Sequence, residues 1–214
     1  MKKEVDMTIW KCTNPLKSGQ NQAFPQRFLL NLERQYPTNN KKVLWLFSGG
    51  IKPSQNQDTC DIRKETKPTF CCSFDKIPKR QNGKYDMVIA DPPYNALYAK
   101  EWKNDLPKPK HIIKEAHRLL KGGGILLLFH IVITPTYRKN FGFERIGLHP
   151  VLCGLGNAIR VVNVFKKPSQ KSNLVIKKMK KKTCKHKAIA KGNGEKEWRC
   201  VFCGKITSPP KKEL

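Results

Sequence analysis

Residues 85–94 read YDMVIADPPY, an apolar run that passes directly into an acid, two prolines and a tyrosine. The near-continuous apolar part is typical of a strand buried on both faces of a sheet. Asp91 then falls at the carboxyl end of this strand, where open α/β sheets bind their ligands. Pro92 and Pro93 restrict the backbone to extended geometry and so hold the neighbouring polar groups still. The segment therefore predicts a buried strand that ends in a rigid polar corner.

This corner has the groups needed to bind a planar amine. The Asp91 carboxylate and the Pro92 carbonyl are two acceptors close together, which suits a group with two N–H donors such as an exocyclic amine. Tyr94 supplies a flat face on which a planar base can stack. A double proline after a strand can also be no more than a stiff turn. The combination of all four residues in a basic protein favours the amine-binding interpretation.

Around this corner the sequence predicts an α/β domain over residues 41–165, with mostly parallel strands and helical crossovers. Strands are predicted at Lys42–Phe47, Thr59–Arg63, Thr69–Cys72, Tyr85–Asp91, Gly124–His130, Phe143–Leu148 and Ile159–Phe165. Helices are predicted at Pro25–Tyr36 and Lys110–Lys121. Residues 1–40 otherwise read as a polar lead-in. The connection Lys64–Pro68 is too short for a full helix.

The charge of the chain indicates a polyanionic partner. Its 214 residues include 43 Lys and Arg against 16 Asp and Glu, a formal net charge of +27. A genome that favours Lys codons would explain the lysines but not the shortage of acids. Nucleic acid is the favoured partner, because no amphipathic apolar face accompanies the basic runs. No protein partner follows from the sequence.

The apolar segments exclude a membrane span and favour a cytoplasmic location. The longest apolar stretch, Ile125–Ile133, is far shorter than the roughly 20 residues that a spanning helix needs. The N-terminus lacks the apolar region of a secretory signal. The eight cysteines are therefore expected to be reduced thiols or metal ligands rather than disulfides.

Over about residues 22–167 the sequence resembles the amino-methyltransferases of the class I S-adenosylmethionine-dependent fold, whose motif is [DNS]PP[YFW]. The Asp variant is similar to the adenine-N6 branch. The resemblance implies a Rossmann-like, mostly parallel sheet of about seven strands and S-adenosylmethionine as cofactor. It also implies that Asp91, Pro92, Pro93 and Tyr94 form the catalytic site and hold a flipped adenine. Asp91 and the Pro92 carbonyl would accept the amine hydrogens as positive charge builds on N6.

The same resemblance implies cofactor contacts in four segments. The implied cofactor-binding residues are Phe24, Pro25, Phe47, Ser48, Gly49, Gly50, Asp61, Ser73, Phe74 and Asp75. Asp61 would accept hydrogen bonds from the ribose hydroxyls. Phe24 and Pro25 are equally consistent with a hydrophobic staple and a helix start. The sequence departs from the family pattern at Trp45, where an acid is usual, and at Ile51, which replaces a third glycine.

The C-terminal part has a different composition. Residues 166–187 contain ten lysines and no acid, which predicts a flexible basic linker. After it, Cys184, His186, Cys200 and Cys203 form two close pairs with the spacing and ligand types of a tetrahedral zinc site. This arrangement resembles a one-site zinc ribbon. Independent free thiols are the alternative.

The sequence therefore predicts three regions: a methyltransferase domain at 1–167 with its core at 22–167, a basic linker at 168–183, and a structural zinc ribbon with its tail at 184–214. The expected activity is methylation of adenine N6 in DNA. Two alternatives stay open. One is an amino-methyltransferase acting on rRNA or tRNA, and the other is a non-catalytic, zinc-containing nucleic-acid-binding protein whose methyltransferase fold has degenerated.

Overall fold

The fold is organised around one large sheet. A computed structural model describes residues 4–12, 24–25, 27–94, 106–153 and 159–169, and the strands 189–191, 198–200 and 206–207. The chain divides into two compact units, Met1–Ser169 and Gln170–Leu214. The strands of the first unit are β1 (Trp10–Cys12), β2 (Val43–Leu46), β3 (Gln57–Asp61), β4 (Phe70–Cys71), β5 (Tyr85–Ala90), β6 (Leu120–His130), β7 (Glu144–Cys153) and β8 (Ile159–Lys166). Its described α-helices are α1 (Phe28–Gln35), α2 (Pro109–Leu119) and α3 (Arg138–Phe141).

The eight strands have the order β1-β7-β8-β6-β5-β2-β3-β4. Strand β8 is antiparallel to both of its neighbours, and the other pairs are parallel. From β2 the chain builds outward to β3 and β4, then returns to the other side of β2 and builds outward through β5 and β6. The sheet is thus doubly wound, with its switch point between β2 and β5. The predicted α/β class with a mostly parallel sheet is confirmed, and the sheet has eight strands where about seven were expected.

Both faces of the central strands are buried, which explains their near-continuous apolar sequences. In β5, Met87 and Ile89 face the cluster that contains α1, and Val88 and Ala90 face the cluster that contains α2. Helix α1 begins at Phe28 rather than Pro25, because Arg27 has φ 68° and interrupts the helical geometry. Helix α2 ends at Leu119, since the chain enters β6 at the next residue.

Strand β1 was not predicted, and the polar lead-in proposed for residues 1–40 is wrong at this point. Trp10 pairs in parallel with Val151 of β7. The Trp10 ring is 1% exposed, and its Nε1 donates to Gln35 Oε1 at 2.6 Å. A strand of three residues is too short to show an alternating pattern in the sequence. Its tertiary contacts therefore specify it.

The connections between β2, β3 and β4 are short. Ten residues join β2 to β3 and contain no helix, and a single 3-10 turn, Lys64–Thr66, lies between β3 and β4. The crossovers at this end of the sheet are therefore mostly loops. Among the helices that the structure describes, none combines the length and the apolarity needed to cross a membrane.

The second unit contains three described strands, β9 (Ile189–Lys191), β10 (Trp198–Cys200) and β11 (Ile206–Thr207). They form an antiparallel sheet with β10 in the centre.

A buried asparagine fixes the chain that leaves β6. Asn163 of β8 is fully buried, and its Nδ2 donates to the carbonyl oxygens of Leu128 and Val132 at 3.4 and 3.1 Å. Its Oδ1 accepts from Thr134 N–H and from Arg145 Nη1, both at 3.0 Å. These four bonds connect β6, β7, β8 and residues 132–134. The loop at the carboxyl end of β6 is therefore attached to the core.

Asn163→Leu is expected to lower the free energy of unfolding by about 2–4 kcal/mol, because it keeps the volume but leaves several buried polar groups without a partner. Urea unfolding followed by circular dichroism measures this. The exposed Asn140→Leu is the control and should change stability by less than about 0.5 kcal/mol. Equal effects of the two substitutions would contradict the role assigned to Asn163.

Candidate active site

The candidate site lies at the switch point of the sheet. Leu46, the last residue of β2, is the register partner of Ala90, the last residue of β5. The Asp91 N–H donates to the Leu46 carbonyl at 3.4 Å. The glycine-containing loop and the Asp91 corner therefore start from adjacent positions at the carboxyl edge of the sheet. This is the edge at which doubly wound folds bind ligands.

Asp91 is a half-buried carboxylate with two groups that favour its charged form. Burial raises its pKa to about 6, while a hydrogen bond from the Tyr94 hydroxyl and the positive charge of Arg160 act in the opposite direction. Tyr94 donates this bond to Asp91 Oδ1. At neutral pH most of the Asp91 population is therefore ionised and can only accept hydrogen bonds. Pro92 and Pro93 are both buried.

The Tyr94 ring packs against side chains of β6 and β8. The ring packs edge-to-face against Phe129 and His130 of β6, at centroid distances of 6.2 and 5.6 Å. The guanidinium carbon of Arg160 lies 5.1 Å from the same ring centroid. One face of the ring that is predicted to stack a base is thus next to a cation in this structure.

Arg160 is a site residue that the sequence analysis missed. It lies in β8, for which the sequence analysis predicts a strand but no site residue. Because β8 is antiparallel, it begins at the edge where the parallel strands end, so its first residues reach the site. An arginine near the start of the last predicted strand, Ile159–Phe165, was the available signal.

The loop after β2 has an unusual backbone. Phe47 has φ 58° and Gly49 has φ 54°, so two residues in this loop are left-handed. For Phe47 this conformation costs about 1–2 kcal/mol. The Phe47 ring packs on Phe74 with centroids 5.1 Å apart. This contact ties the strained residue to the segment predicted to lie beside the cofactor adenine.

The buried hydroxyl of Ser48 bears on whether the loop can bind a polar cofactor. Its side chain is 2% exposed, and its hydroxyl Oγ is buried without a hydrogen-bond partner. A buried hydroxyl in this state costs free energy, which a polar group entering the loop would recover. The residues present therefore fit a polar ligand at the glycine loop.

Asp61 supports the same loop from β3. Its Oδ2 accepts from the Gly49 N–H and from Arg63 Nη2, both at 2.9 Å. Its Oδ1 accepts from the Arg63 N–H and Nε at 3.0 and 2.9 Å. A carboxylate has about four acceptor positions, and all four are used here. For Asp61 to bind ribose hydroxyls as predicted, the Arg63 side chain must give up at least one of its bonds.

The electrostatics of Asp61 follow from these bonds. Burial alone would raise its pKa, but the hydrogen bonds from Arg63 and Gly49 and the Arg63 charge outweigh it, so the pKa lies below its ordinary value. The carboxylate is 6% exposed and stays ionised in the folded protein at neutral pH. Its position is therefore fixed before any ligand binds.

The segment after β4 packs on the same side of the site. Phe74 is 7% exposed and contacts Phe47 and His111, each with ring centroids 5.1 Å apart. A hydrogen bond from the Ser73 hydroxyl is the main reason why the pKa of Asp75 is lowered. Phe74 is thus an apolar wall, and Ser73 and Asp75 form a polar pair beside it.

Phe24 and Pro25 lie near α1. The Phe24 ring stacks on Phe28 at 4.7 Å and meets Trp45 edge-on at 5.6 Å. Pro25 is buried, and its carbonyl accepts from the Phe28 N–H at 3.0 Å. These contacts assign both residues a packing role. A cofactor contact by either of them stays a prediction.

Trp45 and Ile51, the two residues that depart from the pattern of the methyltransferases, are both packed in the fold. Trp45 is 4% exposed, and its Nε1 donates to Gln57 Oε1 at 2.9 Å. Ile51 packs against the same apolar cluster. Both residues thus contribute to packing beside the loop.

The predicted zinc ligands cannot be placed together. Cys184, His186 and Cys203 lie outside the described residues, and Cys200 is the last residue of β10. Within the described part of the chain, no group of three or more His, Cys, Asp or Glu side chains could hold a metal ion. The zinc ribbon stays a prediction.

No family model and no curated protein matches the sequence. Solved structures with a similar backbone include TrmN from Thermus thermophilus, with 16% identity, a TM-score of 0.44, and coverage of 67% of this chain and 49% of TrmN. They also include the 16S rRNA (adenine(1408)-N(1))-methyltransferase from Catenulisporales acidiphilia, with 10% identity, a TM-score of 0.43, and coverage of 65% and 91%. A third is the N-methyltransferase NodS from Bradyrhizobium japonicum, with 10% identity, a TM-score of 0.43, and coverage of 66% and 93%. This chain spans about half the length of TrmN. The assignment of the site rests on the sheet order and on the geometry around Asp91.

Asp61→Asn is expected to lower the free energy of unfolding by about 1–3 kcal/mol at pH 7. Because the folded pKa lies below that of an unfolded aspartate, the charged form stabilises the protein above pH ~4. This contribution is lost as the pH falls through the folded value, so the difference from wild type should shrink in acid. Urea unfolding at several pH values measures it, with the exposed Glu65→Gln as control. A difference that is constant with pH would contradict this account.

Proposed function

We propose that the protein is an S-adenosylmethionine-dependent N-methyltransferase that acts on the N6 amine of adenine in a nucleic acid. The single observation that carries this proposal is the Asp91 corner at the switch point, directly beside the glycine-containing loop. One element suits an amine and the other suits a polar cofactor, and they start from paired residues of adjacent strands.

The cofactor would lie across the loop after β2 and the ends of β3 and β4. Gly49 and Gly50 allow the backbone to come close to it, and Ser48 supplies an unpartnered hydroxyl. Phe74 would bound its adenine. When bound, S-adenosylmethionine supplies an activated methyl group on a sulfonium.

The residues of this chain would bind and polarise the acceptor amine. The N6 lone pair is delocalised into the adenine ring, so the site must localise it by accepting the amine hydrogens. Ionised Asp91 and the Pro92 carbonyl would accept one hydrogen each, and both acceptors become more favourable as charge builds on nitrogen. The Tyr94 hydroxyl occupies one acceptor position of the Asp91 carboxylate, and a carboxylate has about four. No protein nucleophile takes part in this direct transfer. The N–C bond would form as the S–C bond breaks, S-adenosylhomocysteine would leave, and the ionised Asp91 carboxylate would take the proton that the methylated nitrogen loses.

The charge of the protein supports a nucleic acid as the acceptor. A net charge of +27 attracts phosphates and gives salt-dependent affinity that does not depend on sequence. DNA is the acceptor expected from the sequence, with a target adenine turned out of its duplex. The N6 amine has the same chemistry in RNA, so both polymers belong in the test.

Asp91→Ala is expected to reduce kcat at least about 100-fold, because one of the two amine acceptors is lost. The cofactor Kd should stay within about twofold of wild type. Transfer from methyl-labelled cofactor to DNA and to RNA is measured, followed by digestion to nucleosides and mass spectrometry. Calorimetry with S-adenosylhomocysteine gives the Kd.

The matched control is Asp86→Ala, a carboxylate that pairs with Lys121 near the opposite end of β5 and should leave kcat unchanged. N6-methyladenosine from RNA, with no product from DNA, would assign the acceptor to RNA. Full activity of Asp91→Ala would overturn the assignment of this corner. Absence of cofactor binding by the wild-type protein would favour the non-catalytic alternative.

The second unit would contribute to the affinity for the nucleic acid. Its proposed zinc ligands are Cys184, His186, Cys200 and Cys203, with Cys200 at the end of the central strand β10. Metal binding contributes about 10–16 kcal/mol in comparable small modules, which is enough to fold one.

One zinc ion per chain is expected by elemental mass spectrometry, and Cys203→Ser should reduce it to a small fraction. The same substitution should weaken DNA or RNA binding severalfold in a fluorescence anisotropy titration while cofactor affinity is unchanged. Cys71→Ser, an exposed thiol at the edge strand β4, is the control and should keep the zinc. Equal zinc content in both variants would refute the proposed ligand set.

A further inference from the structure

Arg160 occupies a specific position above the catalytic corner. It is the second residue of β8, next to Val161, which pairs with His130 at the end of β6. Its guanidinium carbon lies 5.1 Å from the Tyr94 ring centroid and 5.5 Å from that of Phe129. A guanidinium is planar and weakly hydrated, so it stacks well on aromatic rings. Two rings of the site therefore hold this cation in place.

The charged and titratable groups around Asp91 come from three elements. Its own loop contributes Tyr94, β6 contributes His130, and β8 contributes Arg160. Burial lowers the pKa of His130, which is therefore neutral at physiological pH. The adjacent loop after β2 contributes Phe47 and Ser48, which carry no charge. Among the described groups, Arg160 is thus the positive charge that acts on Asp91.

Arg63 and Arg160 interact with their neighbouring aspartates in different ways. Arg63 donates three hydrogen bonds to Asp61 and uses most of its acceptor positions. Arg160 acts on Asp91 through its charge while its guanidinium packs on the Tyr94 ring, so its donors take no acceptor position of the carboxylate among the described hydrogen bonds. The bonds from Arg63 fix the position of Asp61. The arrangement of Arg160 leaves acceptor positions of Asp91 for a ligand.

We propose that Arg160 is a positioning residue for the amine-binding corner. Its guanidinium packs on the Tyr94 and Phe129 rings and keeps Asp91 in the charged form, which can only accept hydrogen bonds, until the substrate amine binds. This inference rests on the proposed function. A protonated Asp91 would carry its own O–H donor at the place where an amine hydrogen must be accepted. Once the amine binds, one of its N–H groups donates to Asp91 and the other to the Pro92 carbonyl.

The test compares the pH dependence of kcat/KM for labelled methyl transfer in wild type, Arg160→Gln and Arg160→Lys. The profile of kcat/KM reports groups of the free enzyme. Removing the charge should shift the acidic limb to higher pH, which gives a roughly three- to tenfold loss at pH 6 that disappears by pH 9. Arg160→Lys keeps the charge and should retain the wild-type profile, with a lower plateau because an ammonium stacks less well.

Lys166→Gln is the matched control, since it removes an exposed positive charge from the far end of the same strand. It should leave the profile unchanged. A profile of Arg160→Gln that has the wild-type shape, at any plateau height, would overturn the proposal. So would a shift of the same size in the control, because it would reflect net charge rather than position.

A second readout does not depend on turnover. The carboxyl carbon of Asp91 is followed by NMR titration in the free protein and assigned with Asp91→Asn. Its midpoint should move to higher pH in Arg160→Gln and stay close to wild type in Arg160→Lys. If the wild-type protein transfers no methyl group, the proposed function fails while this titration still decides the inference. An identical midpoint in wild type and Arg160→Gln would refute it.

Discussion

The site depends on one constraint of the sheet: β2 and β5 lie side by side and end together, and the chain leaves them in opposite directions. Leu46 and Ala90 are register partners, so whatever follows each strand starts from the same place. After β2 comes a loop with left-handed backbone, and after β5 comes a corner stiffened by two prolines. The sheet order brings a candidate cofactor loop and a candidate amine site together without any further element between them.

Two aspartates at this edge of the sheet have different environments. Asp61 is saturated by hydrogen bonds and keeps a low pKa, so it fixes the glycine loop. Burial raises the pKa of Asp91 to about 6, and in the described part of the chain the Tyr94 hydroxyl donates a hydrogen bond to it. The second carboxylate can exchange its partner for a substrate group, whereas the first can do so only by breaking an ion pair. The chemistry proposed here therefore belongs to Asp91.

The central fold could be predicted because its strands are buried on both faces and have a clear apolar composition. All seven predicted strands are present, although β6 and β7 extend several residues beyond the predicted bounds. Strand β1 could not be predicted, since three residues give no periodic signal and its pairing with β7 is a tertiary contact.

The motif around Asp91 was predicted from the order of residues, but its partners were not. Arg160 contacts Tyr94 because β8 is antiparallel and begins at the edge of the sheet where the site lies. Arg63 contacts Asp61 because its side chain turns back toward the residue two positions earlier. Both contacts depend on geometry that the linear sequence does not contain. The metal site is a different case, because three of its four predicted ligands lie outside the described residues.

Hydrogen–deuterium exchange with and without S-adenosylhomocysteine tests the central claim most directly. The account predicts slower exchange, on binding, in peptides that contain the loop at Ser48 and Gly49 and the segment Ser73–Asp75, with little change along β7. Binding that protects a different part of the first unit and leaves these two segments unchanged would contradict a cofactor site at the switch point between β2 and β5.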